Sequence, residues 1–328
     1  MFKICSIGCG GMAKSGHGPA FAKYKKDYKD VCLAACCDIN EEAAKAFKEE
    51  FGFEAYYTDY VKMLDEVKPD VVSLICPVKL TCPMSIDIMK KGYDIIMEKP
   101  PGKNKEEILL MKKAAEEAGV NVRTAFNRRY TPLILKLKEL LKKDNNKMLN
   151  ITYQMYRTRR YEEDFATTAI HAIDVVKNIV GADYKDVTFN YQHLPEFGEN
   201  VKNIVMTSTM ENGVLAQITF MPAGGAVVER ITVNTVENTY FVELPFWGNV
   251  DAPGKLTHMR TNEVVEVVTG DMLSDSTDMY EVSGFYDENR LFFEHLRNGG
   301  ERICDLESAI QSVELEDALR NNEEKYTK

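Results

Sequence analysis

At 328 residues the chain exceeds what one hydrophobic core comfortably serves, and it suits two domains. Hydrophobic residues make up 45% and charged residues 28%, an ordinary globular balance, while a formal net charge of −10 argues against nucleic acid as a partner, since phosphate binding needs a basic face. No apolar run approaches the ~18 residues of a membrane span, and the opening residues lead straight into a strand with no signal peptide, so a cytoplasmic protein is expected.

Phe2-Lys3-Ile4-Cys5-Ser6-Ile7 reads as a buried strand, followed at once by Gly8-Cys9-Gly10-Gly11-Met12-Ala13 and then by a second apolar strand ending at Asp38. This is the G-x-G-x-x-A form of the dinucleotide fingerprint, in its expected context. Gly8 permits a sharp turn out of the strand. Gly10 lets a pyrophosphate approach the backbone, and Ala13 lets the helix lie close to the sheet. The helix beginning near Gly11 offers N–H groups and a positive dipole end to phosphates. Asp38 can accept hydrogen bonds from both adenosine ribose hydroxyls and would repel a 2′-phosphate, which favours NAD over NADP. A glycine-rich turn alone can also bind nothing; here the flanking strand, helix and acid argue for the cofactor. The spacing to Asp38 exceeds the usual ~20 residues because Gly16-His17-Gly18-Pro19 and Lys23-Tyr24-Lys25-Lys26 lengthen the connection.

Beyond Asp38, Asn40 caps a helix through Glu50, and a short helix is expected over 59–67. A strand over 70–75, a helix over 81–91 and a strand over 93–97 follow. The series closes with a helix over 105–118, capped by Gly119, and a strand over 120–125. Such alternation implies parallel pairing through right-handed crossovers. Residues 1–124 are therefore expected to form a doubly wound Rossmann domain. Past them, helices near 132–141 and 167–180 flank a strand over 148–156. From about 187 to 268 short alternating runs take over, with turns at Asn212-Gly213 and Gly224-Gly225. Helices over 285–297 and 305–321 end the chain. Residues 125–328 thus read as an α+β domain on a large, mostly antiparallel open sheet, with the last helix free to pack back on the first domain. An open sheet needs its other face covered, so a homo-dimer or homo-tetramer is expected. The eight cysteines lie mostly in strands and match no zinc or disulfide spacing; they read as reduced, buried residues, and no metal site is expected.

Two segments could carry chemistry. Glu98-Lys99-Pro100 stands at the carboxyl end of a Rossmann strand, where ligands of open α/β sheets bind; Lys99 could hydrogen-bond a substrate oxygen and neutralise alkoxide charge. Taken alone, it could equally be a surface turn. His171 and Asp174 are three apart on a helix and share a face, and an imidazole suits proton transfer near neutrality. A histidine that only packs is the alternative.

Taken in order, these motifs resemble the Gfo/Idh/MocA family, named for glucose–fructose oxidoreductase, inositol dehydrogenase and the rhizopine-catabolism protein. The residues that carry the resemblance are the glycine turn, His17-Gly18-Pro19-Ala20, the 70–77 strand, Glu98-Lys99-Pro100, Asn127-Arg128-Arg129 and His171-Ala172-Ile173-Asp174. It implies an NAD(H)-dependent oxidoreductase acting on a secondary alcohol of a sugar, cyclitol or derivative, with Lys99 and His171 flanking the carbinol as the catalytic pair. Asp174 would hold a neighbouring hydroxyl or orient its helix. The cofactor-binding residues would be Gly8, Gly10, Gly11, Met12, Asp38, Pro77, Glu98 and Lys99. Two positions depart from the family pattern: Thr167 stands where many members have an aspartate one turn before the histidine, and Thr81 where Pro-x-x-x-His often ends. By the family layout Arg128, Arg129, Arg157, Arg159 and Arg160 fall near the substrate cleft; Arg128 and Arg157 are expected to grip an anionic group, or else the cluster decorates an exposed strand. A transient-oxidation enzyme (elimination, epimerisation or glycoside cleavage) and a non-catalytic NAD-binding regulator are the other functions consistent with these residues.

Overall fold

The computed structural model describes residues 1–162, 164–274 and 276–328. Strands and helices alternate first: β1 (Phe2–Ile7), α1 (Gly18–Asp27), β2 (Val31–Cys37), α2 (Glu41–Phe51), β3 (Ala55–Tyr57), α3 (Tyr60–Val67), β4 (Val71–Leu74), α4 (Val78–Lys90), β5 (Asp94–Glu98), α5 (Lys105–Ala118) and β6 (Val122–Ala125). Next come α6 (Pro132–Asp144), β7 (Met148–Tyr156), α7 (Ala166–Val180), β8 (Tyr184–His193), β9 (Lys202–Met210) and β10 (Leu215–Met221). The chain continues through β11 (Val228–Thr235), β12 (Asn238–Glu243), β13 (Lys255–Arg260) and β14 (Glu263–Thr269). It ends with α8 (Gly270–Ser274), α9 (Met279–Val282), α10 (Phe285–Asn298), α11 (Leu306–Arg320) and β15 (Lys325–Thr327). It divides into two units: residues 1–126 with 285–310, and residues 127–284 with 311–328.

In the first unit six parallel strands lie in the order β3-β2-β1-β4-β5-β6. The order reverses between β1 and β4, and a ligand crevice opens at that reversal in doubly wound sheets. β2 is buried at every position, as a strand covered on both faces must be. Local chemistry sets the helix ends: Asn40, Asp59 and Asn104 accept N–H bonds from the first turns of α2, α3 and α5. Helix α10 contributes Phe292 and Phe293 to the same core as Ile4, Phe21, Leu33 and Ile96. Thr124 N–H donates to Asp305 Oδ1 at 2.8 Å, which ties the segment after α10 to β6. The helix leaving the glycine turn is not uniform. Residues Ala13–His17 form a π turn, bonded i→i+5, before α1 begins.

The second unit is built on nine strands in the order β14-β13-β12-β11-β7-β10-β9-β8-β15. All neighbours are antiparallel except β10 and β7, which run parallel. Helices α6, α7 and α11 cover one face, with Leu137, Ile173, Val176 and Leu319 packing among Ile151, Tyr153, Ile218 and Val233. The alternate residues Gln154, Thr207, Thr209 and Gln217 are exposed on the other face. Among the described residues no helix is long and apolar enough to cross a membrane.

Candidate active site

The glycine turn sits at the reversal point of the first sheet. Gly8 has φ of 98°, and a Cβ there would lie 1.9 Å from the Ile75 carbonyl oxygen, so no other residue fits. Gly10 and Gly11 are the opposite case: a Cβ on either would meet nothing within 4 Å. That open space is where a pyrophosphate can approach. The N–H of Lys14 donates to Gly10 O at 3.0 Å, so the amides of Gly11, Met12 and Ala13 precede the first intrahelical bond. Asp38, at the tip of β2, accepts the Cys9 N–H at 2.8 Å on one oxygen and the Asn40 N–H at 2.9 Å on the other. Each oxygen keeps a lone pair for a ribose hydroxyl. Pro77 is exposed at the N-cap of α4, on the β4 side of the reversal. These residues fit an NAD molecule: open backbone for the phosphates and a fixed carboxylate for the ribose.

Glu98 closes β5, and the Lys99–Pro100 peptide beyond it is cis. Glu98 Oε2 accepts the backbone N–H of Lys99 at 3.0 Å, and Oε1 lies 2.9 Å from His17 Nε2. The imidazole of His17 is buried, with Nδ1 3.1 Å from Nδ2 of Asn289 on α10. Thr81 is buried in the first turn of α4, its Oγ1 3.7 Å from Cys76 Sγ.

In the second unit, His171 lies on α7 and is 7% exposed. Its helix is clamped on both sides. One turn before, the Thr167 hydroxyl donates to the Asp164 carbonyl at 3.0 Å. Asp174 is buried and bound bidentately by Arg129, with Nε–Oδ2 at 2.7 Å and Nη2–Oδ1 at 2.5 Å, while Ser312 Oγ lies 3.3 Å from Oδ1. The Tyr184 hydroxyl donates to the Ile173 carbonyl at 2.8 Å. Asp174, expected to hold a neighbouring substrate hydroxyl or to orient its helix, thus has both carboxylate oxygens engaged by these donors.

Arg128 and Arg157, expected to grip an anionic group, are also engaged within the unit. Both are 4% exposed and turn their guanidinium groups onto Glu229 of β11, which is fully buried. Arg128 donates through Nη2 at 2.8 Å and Nε at 3.3 Å, and its guanidinium carbon lies 3.9 Å from the centre of the Phe246 ring. The Tyr153 hydroxyl also donates to Glu229. Burial alone would push the Glu229 carboxyl up; the two guanidinium groups outweigh it and hold the carboxyl down at about 2. A buried carboxylate held between two arginines is a structural pairing, since buried charges must satisfy one another. Arg160 is exposed and pairs with Glu162.

Sequence reading gave no role to Glu229, Asn289 or the side chain of His17. Glu229 carried a usable signal: it shares the inward parity of Ile231 and Val233 on β11, and a charge at such a position must find partners. Asn289 carried none. The eight cysteines are free, and burial pushes the thiols of Cys5 and Cys37 up to about 12, against any thiolate role. Among the described residues no group of three or more His, Cys, Asp or Glu could hold a metal ion.

Residues 2–126 match the family model described as the oxidoreductase family, NAD-binding Rossmann fold, of the Gfo/Idh/MocA proteins. D-glucoside 3-dehydrogenase of Escherichia coli K12 is 29% identical over 137 residues, covering 42% of this chain and 38% of that protein. Myo-inositol 2-dehydrogenase of Thermotoga maritima is 25% identical over 179 residues, covering 52% and 54%. The chain thus spans only about two fifths to half the length of these curated relatives. A levoglucosan dehydrogenase solved in complex with NADH superposes with a TM-score of 0.83 at 18% identity, over 99% of this chain and 98% of that one, a likeness of fold. Residues 2–126 are thus similar to the NAD-binding Rossmann domain of the Gfo/Idh/MocA oxidoreductase family, and it is this match, over the first part of the chain, that the comparisons show.

Proposed function

We propose that this protein is an NAD(H)-dependent oxidoreductase acting on a secondary alcohol of a sugar, cyclitol or related compound. The observation that carries the reading is the placement of Lys99 directly after β5, at the carboxyl edge of a sheet whose glycine turn and Asp38 fit NAD. The relatives named for a D-glucoside and for myo-inositol support the substrate class.

When bound, NAD supplies the acceptor for the substrate's hydride. The remaining chemistry is assigned to two side chains. His171 accepts the hydroxyl proton, and the Lys99 ammonium stabilises the oxygen as it becomes a carbonyl; in the reverse direction His171 returns the proton. Positioned proton transfer of this kind contributes about 10²–10⁴ in rate. Thr167, with no ionisable group, leaves His171 without a carboxylate relay at that position. The exposed polar face of the second sheet is the surface proposed to join copies of the chain.

The test is NADH absorbance with a panel of sugars, polyols and sugar acids, using Lys99→Ala and His171→Ala as controls. Each substitution is expected to lower kcat by at least about 10²-fold with NADH affinity nearly unchanged. Turnover unaffected by both would overturn the assignment.

A further inference from the structure

The buried imidazole of His17 lies between two partners that the proposed reaction does not use. On one side is Glu98, adjacent to Lys99; on the other is Asn289, 272 positions away on α10. All three belong to the first unit. Asn289 is fully buried, and its Nδ2 donates to the Phe285 carbonyl at 2.8 Å while facing His17 Nδ1 at 3.1 Å. A carbonyl oxygen only accepts, so the amide nitrogen must face it, and the opposite amide orientation would set two oxygens together. The side chain keeps this orientation although its Oδ1 is buried without a hydrogen bond. His17 Nδ1 is consequently an acceptor, and the ring hydrogen sits on Nε2, directed at Glu98 Oε1 2.9 Å away. Glu98 is left with Oε2 for one donor, the Lys99 N–H.

Two features of the backbone make this alignment possible. The π turn Ala13–His17 changes the phase of the helix just before His17. Gly16 admits the Phe285 ring: a Cβ there would lie 2.7 Å from a ring carbon, so a larger residue would push away the start of the helix that carries Asn289. The Phe285 ring in turn meets the His17 ring edge-on, with centroids 5.4 Å apart.

We propose that Asn289, His17 and Glu98 form a directed hydrogen-bond relay whose task is to position Lys99 for the reaction. Asn289 selects the tautomer of His17, His17 holds the Glu98 carboxylate in one rotamer, and Glu98 fixes the backbone from which Lys99 projects. The three are positioning residues. The inference rests on the assignment of Lys99 above.

The test uses the full chain with Asn289→Leu, His17→Phe and Glu98→Gln. The glutamine variant keeps size and shape but offers one acceptor oxygen where two are needed, so it decides the matter if either of the others fails to fold. With a substrate from the panel, kcat is expected to fall roughly 10–100-fold, the scale of a misplaced reacting group, with substrate KM and NADH affinity within about threefold in Asn289→Leu and His17→Phe. In a Lys99→Ala background Asn289→Leu should cause no further loss, because its effect passes through Lys99. A loss that adds in that background, or no loss in any single variant, overturns the proposal. Two readouts need no turnover and so separate failure of the relay from failure of the functional assignment. Ring ¹⁵N spectra of the five histidines should contain one Nε2–H tautomer that vanishes in His17→Phe. Amide exchange at Lys99 should accelerate about tenfold or more in Asn289→Leu. An Nδ1–H or doubly protonated His17, or a Lys99 amide indifferent to residue 289, refutes the relay.

Discussion

Asp38, proposed to receive the adenosine ribose, has its two carboxylate oxygens tied to the N–H groups of Cys9 and Asn40, which hold it in one orientation. Replacing it with asparagine removes the charge and one acceptor while keeping the shape. A hydrogen bond to a charged group contributes about 1.5–3 kcal/mol, so Asp38→Asn should weaken NADH binding roughly 10–100-fold by fluorescence titration. NADPH, no longer repelled, should lose less, and the NADH preference should shrink. The two glycines nearby separate folding from binding. Gly8→Ala drives a Cβ into the Ile75 carbonyl at a left-handed φ and should lower stability by about 2–3 kcal/mol or more. Gly10→Ala enters open space and should leave the melting temperature nearly unchanged while weakening NADH binding. Equal thermal losses in both variants would mean that Gly10 is a packing residue.

Among the elements, α7 and β11 are the ones whose side chains defeat a one-dimensional reading. Arg128 and Arg157 look like anion-binding residues along the chain because their partner Glu229 lies 101 and 72 positions away. The sheet brings the three together, and once buried they must satisfy one another. Glu229→Gln leaves two buried guanidinium groups facing an uncharged amide, and should cost roughly 3–5 kcal/mol in urea unfolding at neutral pH. The pH dependence has a definite sign. Against its burial, the arginines depress the folded carboxyl from 4.5 to about 2, so its stabilisation is complete above the unfolded value and is lost as pH falls from about 4.5 towards 2. The stability gap between wild type and Glu229→Gln should therefore narrow across that window; a constant gap would mean that Glu229 is not ionised in the folded protein. What the sequence did make legible was local. The Rossmann strands stand out because two-sided burial leaves uninterrupted apolar runs such as 31–37, and the caps Asn40 and Gly119 mark helix ends by their own chemistry. The parallel pairing of β10 with β7, the three-residue strand β15 and the π turn at Ala13–His17 have no such signature, because tertiary packing sets them.

At the scale of the whole molecule, the path of the chain matters more than its order. The first unit takes residues 1–126 and then, after 158 intervening residues (127 to 284), a return segment at 285–310. Phe292 and Phe293 of that segment are fully buried in the Rossmann core, and Asp305 is bonded to β6. The segment should therefore share the opening equilibrium of the glycine turn rather than that of its sequence neighbours β13 and β14. A ligand that binds only the folded form stabilises it by RT ln(1 + [L]/Kd), about 2.7 kcal/mol at a hundredfold excess over Kd, and so slows hydrogen exchange through unfolding about 100-fold. With NADH at that level, the most protected amides of β1, β2 and α10 should slow together by this factor, while those of β8, β9 and β10 should slow much less. Asn289→Leu should reduce the protection of α10 in the absence of NADH without abolishing its response to the cofactor, since Phe292 and Phe293 still anchor the helix. If peptides covering 285–298 exchange at the rate of the second sheet and ignore NADH, then α10 does not fold as part of the nucleotide-binding unit, and the positioning of Lys99 through Asn289 fails with it.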